Sequence, residues 1–368
     1  MTPPPTFDDV LGQDHAIGLL NDAMASGRIH HAWIFHGPQG VGKFTTAMAF
    51  ASALLDPTTK QRADGRFAPE SGSRTQQMIG ADSHPDLFVV RKELATESRE
   101  TAIRSRKQTT IPREVIDEFL VEPAHVKRSV VANSMKARVF IVDEAEMLAR
   151  GGGRAAQNAL LKTLEEPPEG VVIILVSTSD EALLPTIRSR CQRVAFRALD
   201  DDAMSAWQKE SGLKTKDQWV LDFAAGSPGR LAMALETNMK DWGATLEPLV
   251  ADVEKGAFSH QLGESMGAIV EDWAKEWEKN HPGASKDAAN KSGASHLLSM
   301  LEERARRRLR AATQKGESLD EPLRWISLIE ESRRQIDANV NHKQALQNLG
   351  AQLARADRGP SRIAGLAI

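Results

Sequence analysis

The stretch that decides the fold is His36-Gly37-Pro38-Gln39-Gly40-Val41-Gly42-Lys43-Phe44. It completes the spacing G-x-x-x-x-G-K between Gly37 and Lys43. In a phosphate-binding loop, glycines let backbone N–H groups converge on phosphate oxygens at a helix N-terminus, and the lysine reaches the outer phosphates. The residues before the loop, "HAWIFHG", read as a short apolar strand, and those after it, "KFTTAMAFASALL", as a helix. Strand, glycine loop and helix are the context that such a loop requires. A chance glycine turn ahead of a helix is the plainer alternative. One residue breaks the pattern. The position after the lysine normally carries a hydroxyl that ligates Mg²⁺, and here it is Phe44. Thr45 follows, but one residue turns a helical side chain by about 100°, so it does not fill the same place.

Working outward, "DDVLGQDHAIGLLNDAMASGR" has helical spacing, and "PDLFVV", "ARVFIVDEAEML", "VVIILVSTSD" and "RCQRVAFRAL" read as further strands. Helices fall between them at "EVIDEFLVEPAHV" and at "AAQNALLKTLEEPP", the latter stopped by Pro167 and Pro168. Alternating strands and helices predict an α/β layer with a parallel sheet. Continuous apolar runs agree with strands covered on both faces. Residues 56–84 are polar and read as an irregular excursion, and residues 92–112 as a charged loop. After residue 199 no strand pattern occurs. The expected division is 1–198 for the α/β domain, 199–243 for a small helical lid and 244–368 for a larger helical domain.

Four apolar residues, Val139 to Val142, deliver Asp143 and Glu144 to a strand's C-terminal end, the edge at which open α/β sheets bind ligands. Asp143 would hold Mg²⁺ and Glu144 would polarise an attacking water; a solvated acidic turn is the alternative. Thr178, after the most apolar strand, could sense a γ-phosphate. Arg188, Arg190 and Arg193 follow, and an arginine at a subunit boundary can reach a neighbour's nucleotide. On these residues alone, a surface arginine paired with a carboxylate is the plainer reading of each. In "AAGSPGRLAMAL", Arg230 opens a helix and could fold toward a phosphate or simply face solvent. The basic run "EERARRRLR" reads as a solvated helix face rather than a nucleic-acid surface.

With 368 residues, 41% hydrophobic and 26% charged, the chain is long enough for two or three globular domains. A net charge of −3 provides no global attraction to nucleic acid or acidic membranes. The single cysteine, Cys191, excludes an intramolecular disulfide and a cysteine-based zinc site, which suits a reducing cytoplasm. The N-terminus lacks a signal-peptide pattern, and no apolar run is long enough to span a bilayer.

Taken in order, "GRIHHAWIFHGPQGVGK", "SHPDL", "IVDEAEML", "NALLKTLEEPP", "LLPTIRSRC" and "GSPGR" resemble the bacterial clamp-loader AAA+ family over residues 9–235. The resemblance implies an AAA+ P-loop domain, a helical lid and a helical collar that joins five subunits in a ring. It also implies DNA polymerase III gamma/tau and delta subunits as partners, with the sliding clamp and primed DNA met through the complex. In that frame Arg190 is an arginine finger acting in trans, Thr178 is sensor 1 and Arg230 is sensor 2. Gly37, Gly40, Gly42, Lys43, Thr45 and Asp143 would line the nucleotide site, with Glu144 the candidate base. Two departures matter. The family commonly has a four-cysteine zinc module, and residues 51–112 contain no cysteine, so no zinc is carried over. Phe44 removes a metal ligand, so phosphates would still dock, with weak Mg²⁺ binding and little or no hydrolysis. The expectation is therefore a non-hydrolysing stator. An ATP-hydrolysing gamma/tau-like subunit is the alternative, and a stand-alone P-loop kinase a remote one.

Overall fold

Apolar runs without polar alternation need cover on both faces, and the strands divide accordingly. The computed structural model describes residues 3–104, 110–126, 134–149, 154–257, 260–280, 286–338 and 340–355. Its strands are β1 (Ala32–His36), β2 (Lys60–Gln61), β3 (Phe67–Ala68), β4 (Leu87–Val90), β5 (Arg138–Val142), β6 (Val171–Ser177) and β7 (Gln192–Ala195). Five of them form one parallel sheet in the order β4-β5-β6-β1-β7. Ala32 to Phe35, Val139 to Val142 and Val172 to Leu175 are buried. The expected α/β fold is therefore present, with the strand that feeds the glycine loop inside the sheet.

Two helices frame that strand: α1 (Asp14–Ala25) and α2 (Lys43–Leu55). Beyond β7 every described element is helical. The chain divides into two compact units, Met1–Lys214 with Ala225–Arg230, and Thr215–Ala224 with Leu231–Ile368. In the second unit, Trp325 and Ile329 are buried with Leu297, Leu301, Leu346 and Leu349. There Gly263 and Gly350 bring two helix backbones together, since a Cβ on Gly350 would lie 2.8 Å from the Gly263 Cα. Among the described residues no helix is long and apolar enough to cross a membrane.

Two segments are more ordered than their composition suggests. Residues 56–84 contain the antiparallel β2–β3 pair and a helix, Arg74–Gly80. Buried Asp56 organises them, accepting from Thr58 N (2.9 Å), Thr58 Oγ1 (2.7 Å), Ser73 Oγ and Gln76 Nε2 (2.8 Å). A local carboxylate hub does what a polar composition alone does not reveal. Within 92–112, Lys92–Glu97 is a 3₁₀ turn and Thr101–Arg104 a short helix; residues 105–109 lie outside the described residues.

The basic run on the helix Lys286–Lys315 is spent on its own unit. Arg304 pairs with Glu247 and Glu254, Arg306 with Glu302, Arg307 with Asp222, Arg308 with Glu254 and Glu321, and Arg310 with Glu303.

Candidate functional site

β1 ends at His36 and passes directly into the glycine loop. Three positive-φ glycines shape it: Gly37 (143°), Gly40 (75°) and Gly42 (94°), the last being the N-cap of α2. A Cβ on Gly37 would lie 2.2 Å from the Phe196 carbonyl oxygen. The loop is pinned from two sides. Gly229 N donates to Gly40 O (2.9 Å) and Ser227 Oγ to Gln39 O (2.8 Å). On the other side, buried Gln13 donates to Val41 O (3.2 Å) and Arg197 O (2.7 Å), and accepts from Arg197 N (3.2 Å). The "GSPGR" turn thus lies against the phosphate loop, and Arg230 follows it in the helix Pro228–Glu236 with its N–H donating to Ser227 Oγ (3.2 Å).

Lys43 is only 6% exposed and donates to the Gly37 carbonyl (2.7 Å) and the Pro38 carbonyl of its own loop. Burial pushes its ammonium down to about 8, against the opposing pull of Glu146 and Asp143. Phe44 and Thr45 follow on the first turn of α2, both half-buried.

The acids lie where the strand register puts them, and each is already paired. β4 and β5 run parallel with Leu87 beside Val139 and Val90 beside Val142. The next residues are Arg91 and Lys92 on one strand, Asp143 and Glu144 on the other. Arg91 Nε is 3.4 Å from Asp143 Oδ2, and Lys92 Nζ is 2.8 Å from Glu144 Oε2. Burial raises the Asp143 carboxyl above the usual carboxylate range despite the Arg91 guanidinium beside it. Glu144 holds a left-handed backbone, φ 50°, uncommon for a residue with a side chain and frequent at functional turns. Thr178 donates its hydroxyl to Glu146 Oε1 (2.7 Å) and its N–H to Glu146 Oε2 (3.3 Å). Glu146 links Thr178 to the field around Lys43. The loop suits a phosphate. The acids do not suit a divalent ion, since Phe44 brings no oxygen and both Asp143 and Glu144 are held by cations.

Arg190 stands apart from this cluster. It precedes β7, and its Nη2 is 2.7 Å from Glu165 Oε1, while Nη1 donates to Thr186 O (2.8 Å). It lines a cleft of about 430 Å³ with His30, His31, Leu164, Glu165 and Cys191. His30 and His31 precede β1, and Glu165 precedes β6. The cleft therefore opens at the N-terminal ends of the parallel strands, whereas the glycine loop, Asp143 and Thr178 occupy the C-terminal ends. Five residues of β1 separate the two edges, roughly 16 Å. Arg193 is placed otherwise, 3.0 Å from Asp180, which also lies 3.7 Å from His36 Nδ1.

Sequence reading missed Gln13, Arg91, Lys92 and Glu146. For the two cations a signal existed: "LFVV" and "VFIV" are matched apolar runs ending in "RK" and "DE".

The model of the family described as DNA polymerase III, delta subunit, matches residues 12–200. The tau/gamma subunit of Haemophilus influenzae DNA polymerase III is 29% identical over 272 residues, 74% of this chain and 35% of that protein. The gamma/tau subunit of Mycobacterium tuberculosis is 35% identical over 204 residues, 55% of this chain and 30% of that protein. The chain thus spans about a third of the length of these curated relatives. A solved gamma subunit-related protein of Thermotoga maritima is similar across 91% of this chain and 98% of its own, at 16% identity and a TM-score of 0.39. With half of its residues matched by that family's model, this chain belongs to the DNA polymerase III delta subunit family of clamp-loader proteins.

Proposed function

We propose that the chain is a delta-prime-type stator of the DNA polymerase III clamp loader. It contributes Arg190 across a subunit boundary to the ATP site of a neighbouring gamma/tau-type subunit and does not itself hydrolyse ATP. The observation that carries this reading is the placement of Arg190 at the edge of the sheet opposite the glycine loop. An arginine there serves a nucleotide held by another chain, not the one that its own loop would hold. The guanidinium fork suits charge developing on a transferring phosphate, and Glu165 holds it until a stronger anion competes. The chain's own acids support the non-hydrolysing part. Glu144, the candidate base, is tied to Lys92, and the metal-ligating hydroxyl is replaced by Phe44. Its lysine, glycines and Thr178 would still cradle a phosphate. The delta subunit, the sliding clamp and primed DNA are the further partners in this reading.

A gamma/tau-like subunit with its own ATPase is the second reading, favoured by relatives that carry those names. Steady-state hydrolysis by the purified chain separates the two. The stator reading expects no turnover above background, with turnover arising only when gamma/tau and delta partners are added. Turnover by the chain alone at rates of an active AAA+ subunit overturns it.

A further inference from the structure

The divalent ion of a phosphate-loop site is held between the hydroxyl that follows the lysine and the acid at the end of the neighbouring strand. In this chain those two positions are Phe44 and Asp143, and one side chain touches both. The Arg91 guanidinium carbon lies 4.5 Å from the Phe44 ring centroid, and Arg91 Nε lies 3.4 Å from Asp143 Oδ2. We propose that Arg91 is a resident cation standing in place of the magnesium ion, so that the loop is a site for nucleoside diphosphate without its metal. The inference rests on the reading of this chain's own site as non-hydrolysing and states what that site binds instead.

Three features of the arrangement fit one another. The face of an aromatic ring attracts a cation but offers nothing to a metal ion that demands six oxygens in an octahedron. A planar, weakly hydrated guanidinium is the cation best suited to lie on a ring while donating to a carboxylate. The β4–β5 register then fixes the partner, because Val90 beside Val142 leaves Arg91 beside Asp143 and Lys92 beside Glu144. Phe44 and Arg91 therefore belong together. The phenylalanine removes the metal's ligand and provides the surface on which the replacement charge rests. A divalent ion entering the site would have to displace Arg91 from Asp143 and would find no oxygen at residue 44.

The test uses the full-length chain, a fluorescent ADP analogue and Mn²⁺ as a spectroscopic probe of the divalent ion. Wild type is expected to bind the analogue equally well, within about twofold, with Mg²⁺ or with EDTA, and to hold no Mn²⁺ in the presence of ADP. Arg91→Gln is expected to weaken binding in EDTA by about tenfold, because it removes the resident charge. Phe44→Thr combined with Arg91→Ala is expected to bind Mn²⁺ with ADP and to tighten about tenfold on adding Mg²⁺. Should that double variant not fold, Arg91→Gln decides alone. The proposal is overturned if wild type binds no analogue, if it tightens tenfold with Mg²⁺, or if Arg91→Gln leaves metal-free binding unchanged. Arg91 lies at the opposite edge of the sheet from Arg190, so failure here and failure of the stator reading are separate results.

Discussion

Two helical glycines make opposite predictions for the same substitution. Gly18 lies inside α1, exposed, with nothing within 4 Å of an added Cβ. Gly229 lies in the first turn of Pro228–Glu236, where an added Cβ would sit 2.8 Å from the Gly40 Cα and 3.3 Å from the Gly40 carbonyl oxygen. Alanine in an open helix position gains about 1 kcal/mol over glycine. At Gly229 that gain is opposed by backbone on the far side, which yields only if the phosphate loop shifts. It also strains the Gly229 N–H to Gly40 carbonyl bond of 2.9 Å. Overpacking of this kind costs roughly 1–3 kcal/mol. Gly18→Ala should therefore stabilise by up to about 1 kcal/mol, and Gly229→Ala should destabilise by up to about 2 kcal/mol net. For a unit of this size these correspond to a melting temperature raised by up to about 4 °C and lowered by up to about 8 °C. Calorimetry and urea titration followed by circular dichroism measure both, and amide exchange in the glycine loop should accelerate only in Gly229→Ala. If Gly229→Ala melts as high as Gly18→Ala, the loop is not locked to the "GSPGR" turn as described.

Asp56→Ala removes the acceptor shared by Thr58, Ser73 and Gln76 and should cost about 2–4 kcal/mol, read by urea unfolding. Burial raises the Asp56 carboxyl, but hydrogen bonds from Ser73, Thr58 and Gln76 outweigh it and hold the group below its ordinary value of 3.8. Its contribution is thus present above that value, and wild type and variant should converge in stability as the pH falls beneath it. In the helical unit, burial beside Trp273 pushes His296 from 6.5 down to about 4, so the neutral ring is the folded form. Its stability is full above pH 6.5 and falls by at most about 3 kcal/mol toward pH 4, a slope that His296→Leu should flatten in acid titrations. Burial pushes the Cys191 thiol up to about 12, so alkylation at pH 8 should run roughly 10³-fold slower than for free cysteine, and a free-cysteine rate would refute that burial.

The parts of this molecule set by local pattern were legible from the chain. The spacing of Gly37, Gly40 and Gly42 demanded a loop between a strand and a helix, and α2 begins at Lys43 as its composition implied. Val139 to Val142 announced a buried strand that ends in acids. What those acids face depends on which strand lies alongside and in which register, and periodicity within one segment carries no such information. Lys92 therefore reads as the start of a charged loop and Arg91 is given no role, though pairing makes them the partners of Asp143 and Glu144. Asp56 escaped notice for a related reason. Its four donors come from three residues up to 20 positions away, and a polar composition looks the same whether its hydrogen bonds go to water or to one buried carboxylate. The separation of Arg190 from the glycine loop follows from the parallel direction of β1 and β7, because Arg190 precedes its strand and the loop follows its own.

The most direct test of the central claim is clamp- and DNA-stimulated ATP hydrolysis by a reconstituted clamp loader carrying Arg190→Ala or Lys43→Ala in this chain. The account predicts that Arg190→Ala slows the site it serves by roughly 10³-fold, the worth of a trans-acting arginine, while Lys43→Ala leaves the rate within about twofold. A rate that survives Arg190→Ala but collapses with Lys43→Ala would contradict it and show that this chain burns ATP in its own loop.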